Sequence, residues 1–202
     1  MPRLVTFGCS HTYGYGLSDC YDNTDKPSNF SWPNLLAKKL DRECVNLSLP
    51  GSGNLQILMT VLKTRFEPTD LVIVAHSYFN RYEWYKIYDK DGNGNIIKHQ
   101  TQAHKEILLA ELGEKNIEEK QYWYNWLSIQ HVSLILNSFN IEYYQFHNVP
   151  VGAQTDMPKL LHIPNYWSNM HAIYKDTALD GSHPGIISHQ VQTQLLFDQL
   201  NG

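Results

Sequence analysis

Apolar residues recur along this chain in two rhythms: short unbroken runs, and longer stretches in which they return every three or four positions. The runs Leu4 to Phe7, CVNLSL from Cys44, LVIVA from Leu71 and IEYYQFH from Ile141 predict strands near residues 3–8, 44–48, 70–76 and 142–147. Between them the spacing turns helical. Trp32, Leu35, Leu36 and Leu40 share one face behind Ser31, a capping residue, with Pro33 tolerated in the first turn. Ile57, Leu58, Val61 and Leu62 mark a second helix. Further helical patterns cover His104 to Leu112 and Glu118 to Phe139, and a last helix is predicted to start at Pro184 and carry Ile187, Val191, Leu195 and Leu196. Apolar strands alternating with amphipathic helices predict a parallel sheet covered on both faces, a three-layer α/β/α sandwich of flavodoxin-like type. LVIVA, apolar throughout, suits a central strand buried on both sides.

Two stretches break the rhythm. From Arg81 to His99 aromatic and polar residues form two runs around Asp91-Gly92-Asn93-Gly94, which predicts a β-hairpin inserted at about residues 81–100. Asp89, Asp91 and Asn93 before Gly94 imitate the start of a helix-flanked calcium loop. Gln100 stands where such a loop needs a bidentate glutamate, and strand-like flanks favour a plain hairpin. The second break is the irregular stretch from His147 to Asp180, containing Pro150, Pro158 and Pro164, a length that is often functional. A polar segment from Asp19 to Ser31 reads as a loop over a site.

At 202 residues and 23.4 kDa the chain fits a single domain, residues 1–202. A net charge of −4 with no Lys/Arg run argues against nucleic acid as a partner. Three cysteines, Cys9, Cys20 and Cys44, lack metal-type spacing and point to reduced thiols. Neither a signal peptide nor an apolar run of membrane-spanning length is present, so the expectation is a cytoplasmic or phage-associated protein with no membrane partner.

Chemistry concentrates where strands end. Ser10 follows the first strand through Gly8, at the carboxyl edge where open α/β sheets bind ligands, and is a candidate nucleophile if a base reaches it; the alternative is a plain helix cap. Cys9, one residue earlier, points to the opposite face by strand alternation. Pro50-Gly51-Ser52-Gly53-Asn54 is a turn that presents backbone N–H groups at a helix start. The third strand delivers His76-Ser77-Tyr78-Phe79-Asn80 to the same edge. Before the last helix, Asp180 stands three residues ahead of His183, a spacing that lets a carboxylate fix an imidazole tautomer while the other nitrogen takes a hydroxyl proton.

Together these stretches resemble the SGNH, or GDSL-like, hydrolase family, whose serine, glycine, asparagine and histidine come from four successive blocks. FGCSHTYG is similar to the first block, with Cys9 in place of the usual aspartate; NLSLPGSGN is similar to the second; DGSHPG is similar to the last. The resemblance implies Ser10 as nucleophile, His183 as base, Asp180 as orienter and Gly51 N–H as an oxyanion donor beside the Ser10 N–H. The third block departs from the family pattern: Asn80 fits the asparagine only with a one-residue shift, and Asn54 or Ser77 are alternative donors. Asn54 and Asn80 show no evident structural duty in the sequence. The implied activity is hydrolysis of small or carbohydrate O-acyl esters through an acyl-enzyme, without metal or cofactor, and Tyr82, Trp84, Tyr85 and Tyr88 would be placed to stack on sugar rings. Two rivals stand beside it. A metallophosphoesterase is suggested by ten histidines and by Gly8-x-x-His11, but it lacks carboxylate ligands after the first strand, and His99 and His104 do not share a helix face. The other rival is a catalytically silent scaffold that keeps the fold for binding, and the altered third block favours it.

Overall fold

The structure, a computed structural model, describes residues 1–22, 25–78, 81, 83–90, 96–102, 114–148 and 163–202. Its first strand, β1 (Arg3–Phe7), lies between β2 (Glu43–Asn46) and β3 (Leu71–His76), and β6 (Glu142–His147) pairs on the far side of β3, giving a parallel sheet of order β2-β1-β3-β6 among the described residues. These bounds match the predicted strands to within one or two residues. The inserted pair β4 (Glu83–Lys90) and β5 (Ile96–Gln102) is an antiparallel hairpin, as the pattern around residues 81–100 predicts. Its turn, with Asp91, Asn93 and Gly94, lies outside the described residues, as do Tyr82 and the helical pattern from His104 to Leu112.

Five helical segments complete the described chain: α1 (Ser10–Tyr13), a single turn, then α2 (Trp32–Lys39), α3 (Asn54–Lys63), α4 (Glu114–Ser138) and α5 (Ile186–Asn201). Strand alternation decides which helices cover which face. Val5, Phe7, Val72, Val74 and Tyr143 point one way, into a cluster with Ile57 and Val61 of α3 and Val132 and Leu136 of α4. Leu4, Leu71, Ile73, Ala75 and Phe146 point the other way, against Trp32 and Leu36 of α2 and Leu196 of α5. Each large side chain fully buried in these layers contributes about 1.5–3 kcal/mol of apolar burial. At the edge away from the site, the Arg3 guanidinium donates to both oxygens of the buried Asp70 carboxylate, at 2.8 and 2.6 Å, tying the start of β1 to the start of β3. No helix among the described residues is long and apolar enough to cross a membrane.

Two helix starts differ from expectation. Ser31 occupies the N-cap of α2, but its hydroxyl donates to Ser28 O instead of capping, and the buried Trp32 N–H is taken by Nδ1 of His189 from α5, at 3.1 Å. The last helix begins at Ile186, not Pro184. Pro184 is held in a bridge with Thr177, and the Asp176 carboxylate accepts two N–H groups of the first turn, those of Ile187 and Ser188.

Candidate active site

The sheet reverses its winding between β1 and β3, and the carboxyl ends of those strands open onto the crevice where such sheets hold ligands. Gly8 makes the exit from β1 possible: a Cβ there would meet Thr12 Oγ1 at 2.2 Å and Ala75 O at 3.2 Å. The chain turns at once into α1 with Cys9 as N-cap, so Ser10 leads the helical turn. Ser10 is 4% exposed, and its hydroxyl lies 2.9 Å from His183 Nε2, although the two are far apart in sequence.

His183 sits on a loop that is closed at its base by Gly185 N–H donating to Asp176 O and by Ala178 N–H donating to His183 O. Inside it, Asp180 Oδ1 accepts the N–H groups of Ser182 and His183, both at 3.0 Å, and Oδ2 accepts from His183 Nδ1 at 2.5 Å. Burial alone would raise the Asp180 pKa, but the N–H groups of His183 and Ser182, followed by the imidazole, outweigh it and hold the carboxyl well below the usual range. An ionised Asp180 fixes the His183 proton on Nδ1, which leaves Nε2 as acceptor for the Ser10 hydroxyl.

Gly16 braces this loop. It has φ +83°, its carbonyl accepts the Leu179 N–H at 3.0 Å, and a Cβ there would stand 2.8–3.0 Å from the Asp180 carboxyl atoms. Gly16→Ala is therefore expected to destabilise the fold by about 1–3 kcal/mol through backbone strain and to lower turnover by pushing Asp180 off His183. Thermal midpoint and turnover, measured together, check this; wild-type values for both would contradict it.

The glycine-rich turn reaches the same edge because the chain after β2 keeps running beside β1: Leu47 N–H donates to Thr6 O and Leu49 N–H to Gly8 O. Ser52 N–H then closes a turn onto Leu49 O, with Pro50 second and Gly51 third at φ +79°, the signature of a type II turn. The N–H groups of Ser10 and Gly51 donate to no acceptor among the described residues. Arg81 donates to Ser52 O at 2.7 Å and so ties the segment after β3 to this turn.

The other proposed donors fare differently. Asn80 lies outside the described residues. Asn54 has a structural duty that its sequence context hides: Nδ2 donates to Asn125 Oδ1 at 2.8 Å and to Ser77 O at 3.2 Å, while Oδ1 accepts Ser77 N–H at 2.8 Å. Both its amide hydrogens are spent, which corrects its place as an alternative oxyanion donor. Ser77 is fully buried, and its hydroxyl has no hydrogen-bond partner among the described residues.

Sequence reasoning missed the second histidine of the site. His11 packs edge-on against His183, with ring centroids 5.6 Å apart, and hydrogen-bonds the Tyr174 hydroxyl through Nε2 at 2.9 Å. Burial, with repulsion from His183 and Arg81, pushes its pKa down to about 3, so it stays neutral beside the His183 imidazole. The Gly8-x-x-His11 spacing that suggested a metal ligand serves this contact, and no group of three potential ligands that could hold a metal occurs among the described residues. Tyr15 also packs against His183, at 5.2 Å between centroids.

No family model matches the sequence, and no curated protein does. Solved structures do match in fold. An acetyl xylan esterase, Est2A from the rumen bacterium Butyrivibrio proteoclasticus, superposes with a TM-score of 0.59 at 15% identity, covering 98% of this chain and 63% of its own. A carbohydrate esterase described as having divergent catalytic and non-catalytic binding functions gives 0.57 at 13% identity, over 99% and 65% of the two chains. The psychrotrophic esterase EstA from Pseudoalteromonas, in a structure inhibited by monoethylphosphonate, gives 0.53 at 11% identity over 100% and 97%. This is the SGNH-hydrolase fold. The chain spans a little under two thirds of the first two relatives and nearly the whole of the third. At these identities the likeness is one of fold.

Proposed function

We propose that this chain is a serine-dependent ester hydrolase acting on small or carbohydrate O-acyl esters, acetyl esters among them, through an acyl-enzyme. The observation that carries the reading is the continuous hydrogen-bonded chain from Asp180 through His183 to Ser10. In the first step His183 Nε2 takes the Ser10 proton as Oγ bonds to the ester carbonyl carbon, and the carbonyl oxygen becomes an oxyanion. The Ser10 and Gly51 N–H groups are the backbone donors for that charge, with the Asn80 amide as the proposed third. His183 then gives its proton to the departing alcohol, and a water repeats the sequence to release the acid. Asp180, held ionised, stabilises the imidazolium in both halves. The scheme uses no metal and no cofactor. Carbohydrate esterases among the fold relatives make acetylated sugars the first substrates to try.

The test is labelling with a fluorophosphonate, with and without chelator. Covalent modification of Ser10 that is indifferent to chelator supports the hydrolase; no labelling, together with no turnover on any acetyl ester, returns the chain to a silent binding scaffold. A second measurement probes the oxyanion turn. A Cβ at Gly51 would meet nothing within 4 Å, so Gly51→Ala carries no packing penalty and acts only through its positive φ. Relaxing the turn toward type I turns the Pro50–Gly51 peptide over and removes its N–H from the site. Turnover on an aryl acetate is expected to fall about a hundredfold to a thousandfold, with the thermal midpoint lowered by only a few degrees. Wild-type turnover in that variant would remove Gly51 from the mechanism.

A further inference from the structure

Behind Ser10 and His183 lies a cavity of about 10 Å3, room for one water molecule. Its walls include His11, next to the nucleophile; Pro184, next to the base; Asn148, just past β6; and His189 and Gln192 of α5. His189 is 3% exposed, and its two ring nitrogens have different fates. Nδ1 accepts the Trp32 N–H, so it carries no proton. Burial keeps the ring neutral, with a pKa lowered to about 4, and a neutral imidazole with a bare Nδ1 bears its hydrogen on Nε2. That buried N–H has no acceptor among the described residues. A buried donor left so carries a full desolvation penalty, which a water of suitable position removes. Asn148 supplies the opposite chemistry. Its Nδ2 donates to Ala75 O at 3.3 Å and to Cys9 Sγ at 3.5 Å, which assigns the amide orientation and leaves Oδ1 as an acceptor.

We propose that one buried water sits in this cavity, accepting from His189 Nε2–H and donating to Asn148 Oδ1, and thereby joins α5 to the turn that carries Ser10. The bridge is a positioning element. Asn148 holds Cys9, which immediately precedes Ser10, and α5 follows directly from the loop that carries His183. A water that fixes His189 against Asn148 therefore fixes the separation of nucleophile and base. This kinetic consequence rests on the ester-hydrolase reading; the water itself does not.

Two measurements test it. A crystal structure of the full wild-type chain, at a resolution that places ordered waters, is expected to hold a single water peak within hydrogen-bond distance of His189 Nε2 and Asn148 Oδ1. An absent peak, or one fitted only by a larger or heavier species, overturns the site, and this arm needs no variant to fold. The second arm compares His189→Leu with His189→Gln on an aryl acetate. Leucine removes both the acceptor for Trp32 and the donor to the water, whereas glutamine can supply both. His189→Leu is expected to lower kcat about tenfold or more with KM unchanged, since small misplacements of reacting groups carry penalties of that order, and His189→Gln is expected to recover most of the loss. If both variants keep wild-type kcat although the water is present, the positioning role is overturned. If the wild type hydrolyses no ester while the peak is present, it is the hydrolase reading that fails, and the water site stands.

Discussion

Replacing Asp180 with asparagine is expected to lower kcat about ten-thousandfold, the scale seen when an orienting carboxylate becomes an amide in serine hydrolases. The hydrogen bonds around Asp180 dictate how the new side chain would sit. Oδ1 accepts two backbone N–H groups, from Ser182 and His183, and an amide can serve them only with its oxygen. Its NH2 group is then turned to His183 Nδ1, which must become an acceptor, and the imidazole proton moves to Nε2. A protonated Nε2 cannot take the Ser10 proton. The substitution keeps volume and both backbone contacts, so the fold should persist. Circular dichroism and steady-state kinetics on Asp180→Asn check both halves, and turnover within tenfold of wild type would contradict the assignment of Asp180 as the orienting group.

Acid is the second large effect. Four buried histidines, His11, His76, His147 and His189, all have pKa values lowered chiefly by burial, to about 3 for His11 and about 4 for His76 and His189. In the unfolded chain each would titrate near 6.5. Between that value and the folded one, the unfolded state binds more protons, so stability falls as pH drops through 6.5 and continues to fall toward about 4. At pH 5.5 the three histidines with numerical values each cost roughly 1–2 kcal/mol, a few kcal/mol together, and His147 acts in the same direction. That is a large part of the 5–15 kcal/mol that stabilises a typical domain. The carboxyls of Asp70, Asp176 and Asp180 have lowered pKa values, so their stabilisation is full above about 3.8 and is lost only in stronger acid. Thermal midpoints measured from pH 8 to pH 5 should therefore decline steeply below pH 6.5, before the Asp70, Asp176 and Asp180 carboxyls titrate. A flat profile over that range would show that these histidines become charged in the folded protein.

The sheet was legible because a parallel strand buried on both faces needs an unbroken apolar run, and LVIVA has one. The pairing of Asp180 with His183 was legible because it is local, a matter of three residues in a turn. What the sequence concealed depends on contacts between distant segments. His76 ends β3 as the apolar run predicts, yet its ring bonds Gln145 of β6, at 2.9 Å, a partner that nothing near it in sequence indicates. Asn54 looked available because nothing nearby in sequence uses its amide; its partners, Ser77 and Asn125, come from two other elements. Ser31 had the right identity for a cap, but His189, from the far end of the chain, took the N–H. A polar side chain's partner is chosen by packing, and periodicity says nothing about it.

The closed base of the loop from Asp176 to Gly185 also determines how the site comes apart. Asp180 and His183 are carried by one knot of short-range hydrogen bonds, whereas Ser10 leads the helical turn that follows β1. Gly16 and the Ser10–His183 bond are among the contacts where the two pieces meet. Heat or mild denaturant would therefore part the site along that seam, leaving the aspartate–histidine couple intact on its loop. Inactivation of this kind is expected to reverse on cooling for as long as the sheet remains folded, which return of turnover after a mild heat pulse would show.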